Sequence, residues 1–72
     1  MLGNKIRTIR QIKGISQEAI AIKLKISQAA YSKMENGIIA LTDERLQIIL
    51  EELNVSYQTL KDFNVNEIFK NK

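Results

Sequence analysis

Between Ile15 and Gly37 the chain has room for two short helices and about three residues to join them. Each helix opens on the same pair, Ser16-Gln17 and Ser27-Gln28. A serine just before an apolar periodic run caps the amides that a helix start leaves without partners. A joint as short as Lys25-Ile26-Ser27 makes its two helices cross steeply, with Ile26 anchoring the turn in the core. Few folds accommodate such a pair, and the rest of the chain must supply the core beneath it.

The remaining sequence is also helical in period. Leu2, Ile6 and Ile9 form one stripe of a first helix over 3–13, which Gly14 ends in a left-handed cap. Ile20, Ala21 and Leu24 face inward on the second helix, and Ala30, Tyr31 and Met34 on the third, which closes at Asn36-Gly37. Residues 38–41 form a loop. Thr42 caps a fourth helix, with Asp43 and Glu44 in its first turn and Leu46, Ile49, Leu50 and Leu53 along its stripe. Asn54 breaks that helix, and Ser56 caps a short fifth one carrying Tyr57 and Leu60. No segment alternates with period two. The expectation is a compact all-α domain of five helices over 1–63, followed by a C-terminal tail, 64–72, whose pattern fits a helix or an arm.

Seventy-two residues make one small domain. There is no Cys and no His, which removes disulfides, thiolate metal sites and the commonest general base. No cofactor or metal is expected. Glu51 and Glu52 are adjacent, so on a helix they diverge and cannot face one substrate as a carboxylate pair. An enzyme is therefore the poorest reading. No run approaches the roughly 18 apolar residues of a membrane span, and the first residues lack a signal peptide's apolar stretch. A cytoplasmic protein is expected, without membrane partners.

The net charge of +3 is unevenly spread. Through residue 36, Lys5, Arg7, Arg10, Lys13, Lys23, Lys25 and Lys33 face only Glu18 and Glu35. Beyond it, Arg45, Lys61, Lys70 and Lys72 are outnumbered by Asp43, Glu44, Glu51, Glu52, Asp62 and Glu67. A basic half joined to an acidic half points to one face for a polyanion. On the third helix the outward positions are Ala29, Lys33 and Asn36, flanked by Gln28 and Ser32. Gln pairs with adenine, Lys donates to guanine, and Ala or Ser meets a thymine methyl or a polar edge. Taken singly, such residues are ordinary solvated surface. Arg10 and Glu35 instead fall inside the apolar stripes of the first and third helices. Two opposite charges aimed at one core should pair, since a lone buried charge is very costly.

The spacing over residues 5 to 63 resembles the Cro/repressor-type (XRE-like, phage-repressor) helix-turn-helix family. The resemblance rests on Ile6-Arg7-x-Ile9-Arg10 and Lys13-Gly14-Ile15-Ser16-Gln17-Glu18. It continues in Ile20-Ala21-x-x-Leu24-x-Ile26-Ser27-Gln28 and Tyr31-Ser32-Lys33-Met34-Glu35-Asn36-Gly37. It ends in Leu46-x-x-Ile49-Leu50-x-x-Leu53-Asn54-Val55-Ser56. The resemblance implies a recognition helix over 27–36, with Gln28, Ala29, Ser32 and Lys33 facing base edges of double-stranded DNA. It implies phosphate contacts from Gln17 and Asn36, joined by Ser16, Ser27 and Arg7. Phosphate contacts fix register and base contacts specify, so loss of Gln17 is expected to weaken all sequences alike. The family often pairs the positions of Arg10 and Glu35.

The chain departs from the family at Lys25, where Gly is favoured, in the apolar loop Ile38-Ile39-Ala40-Leu41, and after Phe63. Ile22, Ile38, Ile39, Ile48, Val65, Ile68 and Phe69 are left without a place in the core. All but Ile22 are assigned to a two-fold dimer interface, and Ile22 is unexplained. The implied function is a dimeric transcription regulator, a repressor by analogy, reading a palindromic operator. The competing reading is an antitoxin or interaction module whose apolar loop and tail bind a partner protein such as a toxin or polymerase.

Overall fold

The computed structural model describes residues 2–64. Five helices follow in order: α1 (Leu2–Ile12), α2 (Gln17–Leu24), α3 (Gln28–Glu35), α4 (Asp43–Leu53) and α5 (Tyr57–Asp62). No strand occurs among the described residues, as the helical periodicity requires. The first helix begins one residue earlier than its stripe indicated and stops at Ile12, before Lys13. None of the described helices is long and apolar enough to cross a membrane.

Four helices start in the same way. The side-chain oxygens of Ser16, Ser27, Thr42 and Ser56 accept from the amides of Ala19, Ala30, Arg45 and Thr59 at 3.0, 3.1, 3.3 and 3.0 Å. Each satisfies a donor that helix geometry leaves free, which contributes about 1 kcal/mol per cap.

The ends of α1 to α4 share a second device. Gly14, Lys25, Gly37 and Asn54 adopt left-handed φ of 71°, 60°, 79° and 56°. The next amide then reaches back into the helix: Ile15 to Arg10, Ile26 to Ala21, Ile38 to Lys33 and Val55 to Leu50, at 2.8 to 3.1 Å. An apolar residue therefore follows every corner. Ile15, Ile26 and Val55 pack against the core, whereas Ile38 stands 71% exposed.

These corners fold α2 onto α3 and α4, and α1 onto α3 and α5. The core they enclose contains Ile6, Ile9, Ile20, Ala21, Tyr31, Met34, Leu46, Ile49, Leu50, Leu53 and Leu60. Ile39 corrects one expectation. It is half-buried and packs against this core, because the turn after α3 directs the second isoleucine of the loop inward. Ile22 and Ile48 are exposed, as their stripes indicated. Val65, Ile68 and Phe69 lie outside the described residues. Gly3 sits buried where α1 runs against the end of α3, and a methyl group there would overlap the Glu35 carbonyl oxygen.

Candidate nucleic-acid interface

Arg10 and Glu35 meet as their stripes require. Arg10 Nε donates to Glu35 Oε2 at 2.8 Å and Arg10 Nη2 to Oε1 at 3.3 Å. Both residues are buried, at 7% and 2% exposure. Arg10 Nη1 donates to the Ile15 carbonyl at 2.9 Å, so one guanidinium ties α1, the corner before α2 and the end of α3. Removing one partner of such a pair leaves a buried charge uncompensated and costs about 3–5 kcal/mol. Burial pushes the Glu35 carboxyl up, but hydrogen bonds led by Arg10 outweigh it and hold the group below the usual carboxylate range. Hydrogen bonding to Glu35 in turn raises the Arg10 guanidinium. The Tyr31 hydroxyl is buried with no hydrogen-bond partner of good geometry among the described residues. Burial first, then Glu35, push its ionisation far above the usual phenol range.

Two further residues converge on the same carboxylate. Gln17 Nε2 donates to Glu35 Oε1 at 3.1 Å. Arg7 Nε approaches that oxygen at 3.4 Å, and Arg7 Nη2 donates to the Asn36 side-chain oxygen. Sequence reasoning gave Glu35 one partner and placed Gln17 and Arg7 against phosphate alone. The signal for Arg7 was its position three residues before Arg10, on the same side of α1. Gln17 carried no comparable signal, because its approach depends on how α2 crosses α3.

The predicted reading face lies on the solvent side of this cluster. Gln28, Ala29 and Lys33 are exposed and Ser32 is half-buried along α3. Gln28 Nε2 approaches Gln17 Oε1 at 3.5 Å, which sets the starts of α2 and α3 side by side. Ser16 and Ser27 are exposed at those two starts, and Asn36 is exposed at the opposite end of α3. The strip thus offers neutral donors and acceptors and one cation, Lys33, in the last turn of α3. Two capped helix N-termini, natural sites for anions, stand at one edge. Lys23 is turned instead toward Glu52 on α4, at 3.8 Å. An exposed pair of that kind contributes little to stability.

Residues 6–60 match the model of a family described as Helix-turn-helix. The chain is 33% identical over 57 residues to antitoxin PezA of Streptococcus pneumoniae. That alignment covers 79% of this chain and 36% of the relative, so the chain spans about a third of that protein's length. No solved structure matches significantly. The family match spans the capped pair, the corner between its helices and the core residues through Leu60, and the chain belongs to the Cro/repressor-type, XRE-like helix-turn-helix family as a DNA-binding domain.

Proposed function

We propose that this domain is a sequence-specific transcription regulator that lays α3 in the major groove of double-stranded DNA. The observation that carries the reading is the solvent face of α3. Gln28, Ala29, Ser32 and Lys33 form one accessible strip of small, polar and cationic side chains, narrow enough to reach base edges. Ser16, Ser27, Gln17, Arg7 and Asn36 stand around it where phosphates would pass, and they fix register while the strip specifies.

Two copies would read a palindrome, with their recognition helices roughly 34 Å apart. Ile38 and Ile48 are exposed apolar side chains outside the reading strip, and burying them against a second copy would remove both from water. Ile39 contributes only its accessible part, and Val65, Ile68 and Phe69 of the tail complete the proposed surface. Light scattering that shows a monomer at tens of micromolar, with and without DNA, would remove the dimer from this reading.

Selection from random duplex DNA tests the function directly. The expected outcome is an enriched two-fold symmetric site whose affinity falls steeply with added salt. Gln28→Ala and Lys33→Ala should each cost about 1–3 kcal/mol at that site and relax preference at separate positions. Equal losses on cognate and random DNA would overturn the assignment of α3.

A second reading is favoured by the similarity to antitoxin PezA. The apolar loop and tail would then bind a partner protein, a toxin by analogy. Truncation after Phe63 that spares DNA affinity but abolishes partner capture would support it. The two readings are compatible.

A further inference from the structure

Four helices end in the same left-handed closure, and each closure sets two residues side by side. The amide beyond the corner bonds to a carbonyl five residues back, which brings those two side chains together. Three of the pairs lie within the fold: Ile15 with Arg10, Ile26 with Ala21 and Val55 with Leu50. The fourth is Ile38 with Lys33. Lys33 is exposed on the reading strip, so the corner carries Ile38 outward with it. The exposure of Ile38 follows from the residue it is paired with, and it places an apolar side chain at the root of the strip's cation.

Lys33 lies in the last turn of α3. A lysine there is drawn back to the negative end of its own helix, where it can donate to the last carbonyls. In this chain those carbonyls are already engaged. The Ser32 carbonyl accepts from Asn36 and that of Met34 from Gly37, while that of Lys33 accepts from Ile38 and Ile39 at 2.8 and 3.3 Å. Lys33 forms no ion pair among the described residues, whereas Lys23 reaches Glu52 and Lys5 donates to the Lys61 carbonyl. Ile38 is β-branched and has little rotamer freedom, so it stands as a fixed apolar wall across the path back to the helix end. An ammonium laid over that wall would lose water without gaining an acceptor. The course left to the Lys33 stem is along the wall and outward, with its ammonium in solvent.

We propose that Ile38 is a positioning residue for DNA reading, which holds the Lys33 stem extended toward the groove and so strengthens its preference for guanine. The inference rests on the function proposed above and adds a residue outside the reading strip to its specificity. A lysine stem has many rotamers, and those that fold back contribute nothing at a base edge. Guanine presents two acceptors, O6 and N7, to an ammonium arriving from the strip, and the other bases present fewer. This role uses the flank of Ile38 that faces Lys33 and leaves the rest of the side chain for a second copy.

Two measurements test it. The first needs no DNA and follows NMR relaxation of the lysine methylene groups in the free protein. The Lys33 stem should be more ordered than those of Lys13 and Lys25, which are exposed and form no ion pair among the described residues. Ile38→Ala should lower it to their level, and Ile38→Val, which keeps the branched wall, should not. The second compares base preferences selected from random duplex DNA for the unaltered protein, Ile38→Ala, Lys33→Ala and the double variant. Ile38→Ala should lower the guanine preference roughly threefold at the position that Lys33→Ala flattens. Preferences elsewhere should stay within about twofold, whatever the overall loss of affinity. In the Lys33→Ala background, Ile38→Ala should change no preference. Ile38 is exposed and lies outside the core, so its variants leave the core intact. A uniform loss across all positions from Ile38→Ala would overturn the inference, as would a Lys33 stem no more ordered than that of Lys13. An unaltered protein that enriches no sequence would overturn the proposed function itself, a distinguishable outcome because the Lys33 stem is measured without DNA.

Discussion

At Lys25 the backbone takes φ 60° and ψ 41°, a conformation that most side chains resist. The corner between α2 and α3 needs it, because the amides of Lys25 and Ile26 must reach back to Ile22 and Ala21. Gly14 and Gly37 meet the same demand without strain, and Asn54 is tolerated through its short polar side chain. Lys25 has neither advantage, and its side chain is exposed. Lys25→Gly should relieve about 1–2 kcal/mol of strain and return part of it as unfolded-chain entropy. The expected net gain is about 0.5–1 kcal/mol, read as a higher urea midpoint with an unchanged slope. A lower midpoint would mean that the lysine side chain does something in the fold that its exposure hides.

At the scale of elements, α1 and α3 approach so closely at Gly3 that no side chain fits between them. Gly3→Ala should push α1 away from the Glu35 carbonyl and cost about 1–3 kcal/mol, measurable by urea unfolding. A neutral result would show that α1 can shift without disturbing the charged cluster. This contact was not legible in the sequence. Gly3 stood near the start of a helix, and nothing local says which neighbour will come near it. The caps were legible, because Ser16, Ser27, Thr42 and Ser56 each act on an amide three residues away. Arg10 and Glu35 were legible because each broke an apolar stripe, and two broken stripes imply one meeting. Gln17 and Arg7 were not read as members of that cluster, since their arrival depends on three helices converging. Ile39 was misread for a related reason. A loop has no period, so which of two consecutive isoleucines turns inward is decided by the corner at Gly37.

For the molecule as a whole, the charged cluster makes stability depend on pH. Glu35 ionises below its ordinary value of 4.5 in the folded chain and near it in the unfolded one. Between those values the unfolded state binds the extra proton. The stabilisation is therefore complete above about pH 4.5 and is lost as pH falls toward the depressed folded value. Urea midpoints should be level near neutrality and decline in acid. The double variant Arg10→Met with Glu35→Met should lose most of that decline, and an unchanged acid profile would place its origin elsewhere. The polar cluster beneath α3 also bears on redesign. Helix-turn-helix proteins invite treatment of the recognition helix as a cassette, to be exchanged whole for a new target. In this chain Gln28 approaches Gln17, which belongs to α2 and donates to a carboxylate that Arg7 and Arg10 reach from α1. A transplanted α3 would arrive without the α2 and α1 side chains that meet Gln28 and Glu35, so the smallest portable unit is the pair of helices with the α1 arginines behind them.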